Sequence, residues 1–79
     1  MFTMIIKEKA WIHEEGSDDA RIVLLAINKG LIGNRECIDA TEFSTHMQIA
    51  NGEQKPYFAY GHYYNTIEQA LQDFYKREV

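Results

Sequence analysis

The chain has 79 residues, 46% of them hydrophobic and 25% charged, with a formal net charge of −4. That length suits one domain over residues 1–79, which buries roughly 60% of the surface its unfolded form exposes: enough for a sheet closed by one helix, too little for a deep substrate cleft. The composition excludes a disordered polymer, and the scattered acidity argues against the basic patch of a nucleic-acid binder.

The opening segment alternates Phe2, Met4 and Ile6 with Thr3, Ile5 and Lys7, the period-two spacing of a half-buried strand that can continue to Trp11 or Ile12. Lys7, Glu8 and Lys9 break its apolar character, so neither a signal peptide nor a membrane span is expected there. The polar run from Glu14 to Asp19, with Gly16, reads as a turn. Arg21 to Ile27 is a short β-branched apolar run. Its length favours a strand buried on both faces over a buried helix.

Asn28-Lys29-Gly30 and Gly33-Asn34 punctuate the middle of the chain, and Arg35 to Thr41 is a weaker strand candidate. The Gly30 to Gly33 spacing, with Lys29 and Arg35 on either side, has the GxxG form of the RNA-clamping loop of KH domains. That loop joins two helices, whereas this one follows a β-branched run, so a turn shaped by glycines is the better reading. Cys37 is the single cysteine; it excludes an intrachain disulfide, reads as a small buried thiol and suits a reducing cytoplasm.

Residues 41–50 allow two readings. Thr41 can cap a short helix carrying Phe43, Met47 and Ala50, with Gly52 just past its end. Alternatively, Thr45 to Ala50 pairs with Gln54 to Tyr60 across Asn51-Gly52, a dipeptide suited to a type I′ hairpin turn. The hairpin is preferred. Pro56 then marks an edge strand, a strand start or a bulge, since it has no N–H to donate.

Near the end of the chain, Thr66 and Gln69 form a capping box, Glu68 sits in the first helical turn, and Lys76 and Arg77 lie in the last. Ile67, Ala70, Leu71, Phe74 and Tyr75 make the apolar stripe of an amphipathic helix that must dock on a sheet. The expected fold is therefore α+β, a small antiparallel sheet of three to five strands against a C-terminal helix.

Seven of the ten aromatic residues fall between Tyr57 and Tyr75. On a regular strand, Phe58, Tyr60, His62 and Tyr64 share one face, and Tyr57, Ala59, Gly61 and Tyr63 share the other. One face covers the core. The face that the helix leaves uncovered is expected to be a contact surface, so the candidate binding residues for a protein partner or a second copy in a homodimer are drawn from both faces, Tyr57 and Tyr63 on one and Tyr60, His62 and Tyr64 on the other. A base-stacking platform served by Lys29, Arg35 and Lys55 is the nucleic-acid alternative. His13, His46, His62 and Cys37 have no metal-ligand spacing, and no nucleophile or paired-carboxylate motif is present. No metal, cofactor, membrane contact or catalytic residue is expected, and the chain reads as non-enzymatic.

Residues 55–77, with Tyr63-Tyr64-Asn65-Thr66-Ile67-Glu68-Gln69-Ala70-Leu71 at their centre, resemble the ending of small accessory proteins of temperate tailed phages and prophages. The resemblance implies a strand, a Tyr-Tyr-x-Thr turn and a helix, and a role for some such proteins as inhibitors or modulators of host proteins. Tyr64 to Ala70 is also similar to the turn that introduces the helix in the arm-type DNA-binding domains of phage and transposon integrases, where a three-stranded sheet packs on a C-terminal helix.

Overall fold

The computed structural model describes residues 2–28 and 42–79. Among these residues four strands, β1 (Phe2–Glu8), β2 (Asp19–Asn28), β3 (Glu42–Ala50) and β4 (Tyr57–Tyr64), precede one helix, α1 (Ile67–Lys76). The strands form an antiparallel meander in the order β1-β2-β3-β4, as the expected α+β class requires. The GxxG segment, Cys37 and the Arg35–Thr41 strand candidate lie outside the described residues.

β2 is central because its apolar run has no polar face to offer water. Ile22 and Leu24 face α1, while Val23 and Leu25 face the other side, and all four are buried. Each such side chain contributes roughly 1.5–3 kcal/mol. Ile22 and Leu24 pack with Ala70 and Phe74, and Phe43, Met47, Tyr64 and Leu71 close the cluster. Of the expected helical stripe, Ala70, Leu71 and Phe74 enter this core, whereas Ile67 and Tyr75 are exposed. Tyr75 packs edge-on against Phe74 and lies under the Lys7 ammonium.

The opening strand is less regular than simple alternation predicts. A bulge between Ile5 and Lys7 puts Lys7 opposite Leu24, so Ile6 does not continue the face begun by Met4. Pairing nevertheless reaches Ile12, which exchanges backbone hydrogen bonds with Ala20. The turn before β2 closes with the Ser17 N–H on the Glu14 carbonyl at 3.0 Å, Gly16 taking φ 83°. Residues 42–50 are strand, as the hairpin reading had it.

The Asn51-Gly52 turn differs from a type I′ hairpin. Only Gly52 has positive φ, and the Glu53 N–H reaches back to the Asn51 carbonyl at 3.0 Å. The Asn51 side chain accepts from the Gln54 N–H at 3.1 Å, a local bond that competes with the two-residue turn. Pro56 then precedes β4, so Ile49 pairs with Tyr57 rather than with a residue nearer Gly52.

Thr66 caps α1 as its sequence position predicts, its hydroxyl accepting from the Gln69 N–H at 3.4 Å. Thr66→Ala is expected to lower stability by about 1 kcal/mol in urea denaturation. At the other end, the Lys9 ammonium donates to the Arg77 carbonyl at 2.6 Å and the Tyr75 carbonyl at 3.3 Å, placing a cation at the negative end of the helix. No helix among the described residues is long and apolar enough to cross a membrane.

Candidate binding surface

One irregularity decides where the aromatic residues of β4 point. Thr45 pairs with His62 and Met47 with Ala59, so His46 alone stands opposite two residues, Tyr60 and Gly61. Tyr60 takes φ 53°, a left-handed conformation unusual for a bulky residue. This bulge overturns the expected alternation. Tyr57 and Ala59 lie on the α1 side before it, and His62 and Tyr64 lie on that same side after it, paired with Ile49, Met47, Thr45 and Phe43. Phe58 and Tyr63 fall on the opposite face, beside Gln48 and Ser44.

The five candidate residues therefore separate. Tyr64 packs at the hydrophobic core, and burial, then its hydrogen bond to Asp73, raises its phenol above the ordinary value. His62 bonds Asp73 at 2.9 Å. Tyr63 stands edge-on to His46, with ring centroids 5.4 Å apart. Only Tyr57 and Tyr60 meet in one hollow. Of the nucleic-acid candidates, Lys29 and Arg35 lie outside the described residues, and Lys55 is exposed in the β3–β4 connection.

Two polar clusters bring titratable side chains together. On the α1 side, Asp73 Oδ2 accepts from Thr45 Oγ1 at 2.5 Å and from His62 Nδ1. Arg77 donates to the Thr45 carbonyl and Oγ1, both at 3.0 Å, and to the Tyr60 carbonyl. Burial opposes ionisation of Asp73, but the hydrogen bonds from Thr45, His62 and Tyr64, with the nearby His62 charge, outweigh it and hold the carboxyl below its ordinary value. The cluster fastens α1 and the residues after it to β3 and β4.

On the opposite face, His46 Nδ1 lies 3.0 Å from Ser44 Oγ and Nε2 lies 3.3 Å from the Tyr63 hydroxyl. Burial, together with the Arg77 and His62 charges, lowers the His46 pKa and favours the neutral ring. Ser44 and Thr45 are both fully buried, so neither hydroxyl is placed to meet a substrate. Among the described residues no buried side-chain polar atom lacks a partner and no group of three or more candidate metal ligands occurs.

The open surface lies where α1 stops. Ten helical residues extend about 15 Å, whereas the ten residues of β2 run about 33 Å. Beyond the helix end, Ile12, Ala20, Met47, Ile49, Tyr57, Tyr60 and Val79 line a hollow of about 380 Å³. A second hollow of about 380 Å³ adjoins it through Ile12 and Val79. Ile12 is 47% exposed, Tyr57 48%, Tyr60 70% and Val79 52%, which makes this an uncovered apolar surface rather than core. Sequence reasoning missed Ile12 and Val79, whose closeness to Tyr57 depends on the isolated bridge between Ile12 and Ala20 and the course of the chain after α1.

Tyr60→Gly separates the strand geometry from this surface. It relieves the left-handed strain and is expected to leave stability unchanged or raise it by up to about 1 kcal/mol in chemical denaturation.

Comparison with protein-family models, curated proteins and solved structures finds no match to this chain.

Proposed function

We propose that the chain is a non-enzymatic protein-binding module, of the accessory type that its ending resembles, and that it acts by holding a segment of a host protein in the hollow beyond α1. The observation that carries this reading is the clustering of exposed Ile12, Tyr57, Tyr60 and Val79 around one concavity. Contiguous exposed apolar surface of this kind is characteristic of interaction sites, and tyrosine supplies large contact area with few rotors and a polar tip. The burial of Ser44 and Thr45 supports a binding role over nucleophilic chemistry.

Selection of a random displayed-peptide library against the chain tests the reading, with a Tyr57→Ala/Tyr60→Ala variant as the counter-selection. Enrichment on the unaltered chain that the double variant loses is the expected result. Equal recovery on both, with the variant folded by circular dichroism, would remove the hollow as the working surface.

A further inference from the structure

We infer that the occupant of this hollow is a basic–apolar peptide segment, in which apolar side chains fill the concavity and flanking lysine or arginine residues meet its rim. The inference rests on the binding role proposed for the hollow and adds the chemistry of the partner.

The rim is acidic. Glu14 and Asp18 line the first hollow, and Glu78 lines the second. None of the three carboxylates has an ion-pair partner among the described residues, whereas Glu8 pairs with Arg21, Asp19 with His13 and Asp73 with His62. Among the described residues, the one cation lining either hollow is Lys9. Its ammonium is already held by the Tyr75 and Arg77 carbonyls and lies 5.4 Å from the Phe74 ring centroid. An acidic segment would therefore face three unneutralised carboxylates, with no free cation among the described lining residues to receive it. A basic segment would place its charges beside them, the pairing of opposite potentials that sets orientation and excludes wrong partners.

The floor fixes the rest of the partner's character. Ala20, Met47 and Ile49 offer no charge, so a purely hydrophilic basic chain would leave the apolar surface wet and gain only salt-screened attraction. The Tyr57 and Tyr60 rings add faces on which a guanidinium or ammonium can rest.

The test uses the full chain and two labelled eight-residue peptides, each with a central Leu-Phe-Leu, one flanked by lysines and one by glutamates, followed by fluorescence anisotropy. The lysine peptide is expected to bind about tenfold or more tightly than its glutamate counterpart at low salt, with the gap shrinking at high salt. Glu14→Gln/Asp18→Asn/Glu78→Gln is expected to weaken lysine-peptide binding about threefold to tenfold, given the small value of each exposed charge. Glu68→Gln, in the first turn of α1, is expected to leave it unchanged. Tyr57→Ala/Tyr60→Ala weakens both peptides.

Equal binding of the two peptides, with loss in the tyrosine variant, would overturn the basic partner while leaving the hollow as a binding site. Binding of the lysine peptide that the tyrosine variant does not weaken would overturn both. A second copy as the occupant would appear as a dimer in sedimentation that Tyr57→Ala/Tyr60→Ala dissociates, and that too would overturn the inference.

Discussion

Gly61→Ala is expected to destabilise the domain by about 3 kcal/mol, at the upper end of the range for overpacking a well-filled interior. A Cβ added at Gly61 would stand 2.3 Å from His46 Nε2, 2.8 Å from Cε1 and 2.9 Å from Cδ2. The imidazole has little room to retreat. Phe58 and Tyr63 flank it, with ring centroids at 5.9 and 5.4 Å, and Ser44 holds Nδ1. Urea denaturation of Gly61→Ala in the natural and His46→Ala backgrounds isolates the clash: its cost is expected to fall below about 1 kcal/mol once the ring is gone, a coupling typical of residues in direct contact. An equal cost in both backgrounds would contradict the placement of His46 over Gly61.

Asp73→Ala is the second large effect, about 2–3 kcal/mol at neutral pH, because it removes an ionised acceptor from Thr45, His62 and Tyr64 together. Its pH dependence has a definite sign. The folded carboxyl titrates below its ordinary value of 3.8, so the unfolded chain takes up the proton first as acid is added. The stabilisation is complete above about 3.8 and is lost as pH falls through the folded value. The stability gap between the natural chain and Asp73→Asn, followed by denaturation from pH 7 to pH 2, should narrow over that acid window. His46, whose pKa is lowered from 6.5, has the same sign in a higher window: its contribution is complete above 6.5 and lost as pH falls below it. A gap independent of pH would mean that the Asp73 carboxylate carries no charge-dependent bond.

α1 was legible in the sequence because its signals are local. Thr66 bonds the Gln69 N–H, and Ala70, Leu71 and Phe74 recur on one face whatever they dock against. β2 was legible for a related reason, since a run of six apolar residues from Ile22 to Ile27 needs cover on both faces. Asp73 was hidden: it reads as a polar residue of the helix surface, and its role appears only when β3 brings Thr45 beneath it.

The bulge at Tyr60 had no local signal at all. Tyrosine opposes positive φ, and the conformation persists because its surroundings over-determine it: Gly61 lies against His46, and Arg77 binds the Tyr60 carbonyl. One inserted residue moved His62 and Tyr64 to the α1 side and Tyr63 to the other, dispersing the aromatic face that simple alternation assembled. The hollow was equally illegible. It arises from a short helix on long strands, and its walls come from Ile12, Tyr57 and Val79, which are distant in sequence.

The surface proposed to receive a partner is this hollow rather than the Phe58–Tyr63 face. Titration of the isotopically labelled chain with the lysine-flanked peptide, followed by amide and methyl chemical shifts, tests it directly. Saturable changes centred on Ile12, Ile49, Tyr57, Tyr60 and Val79, with Phe58 and Tyr63 unmoved, are the predicted result. Changes centred on Phe58, Tyr63 and His46, or none at peptide concentrations in the millimolar range, would contradict it.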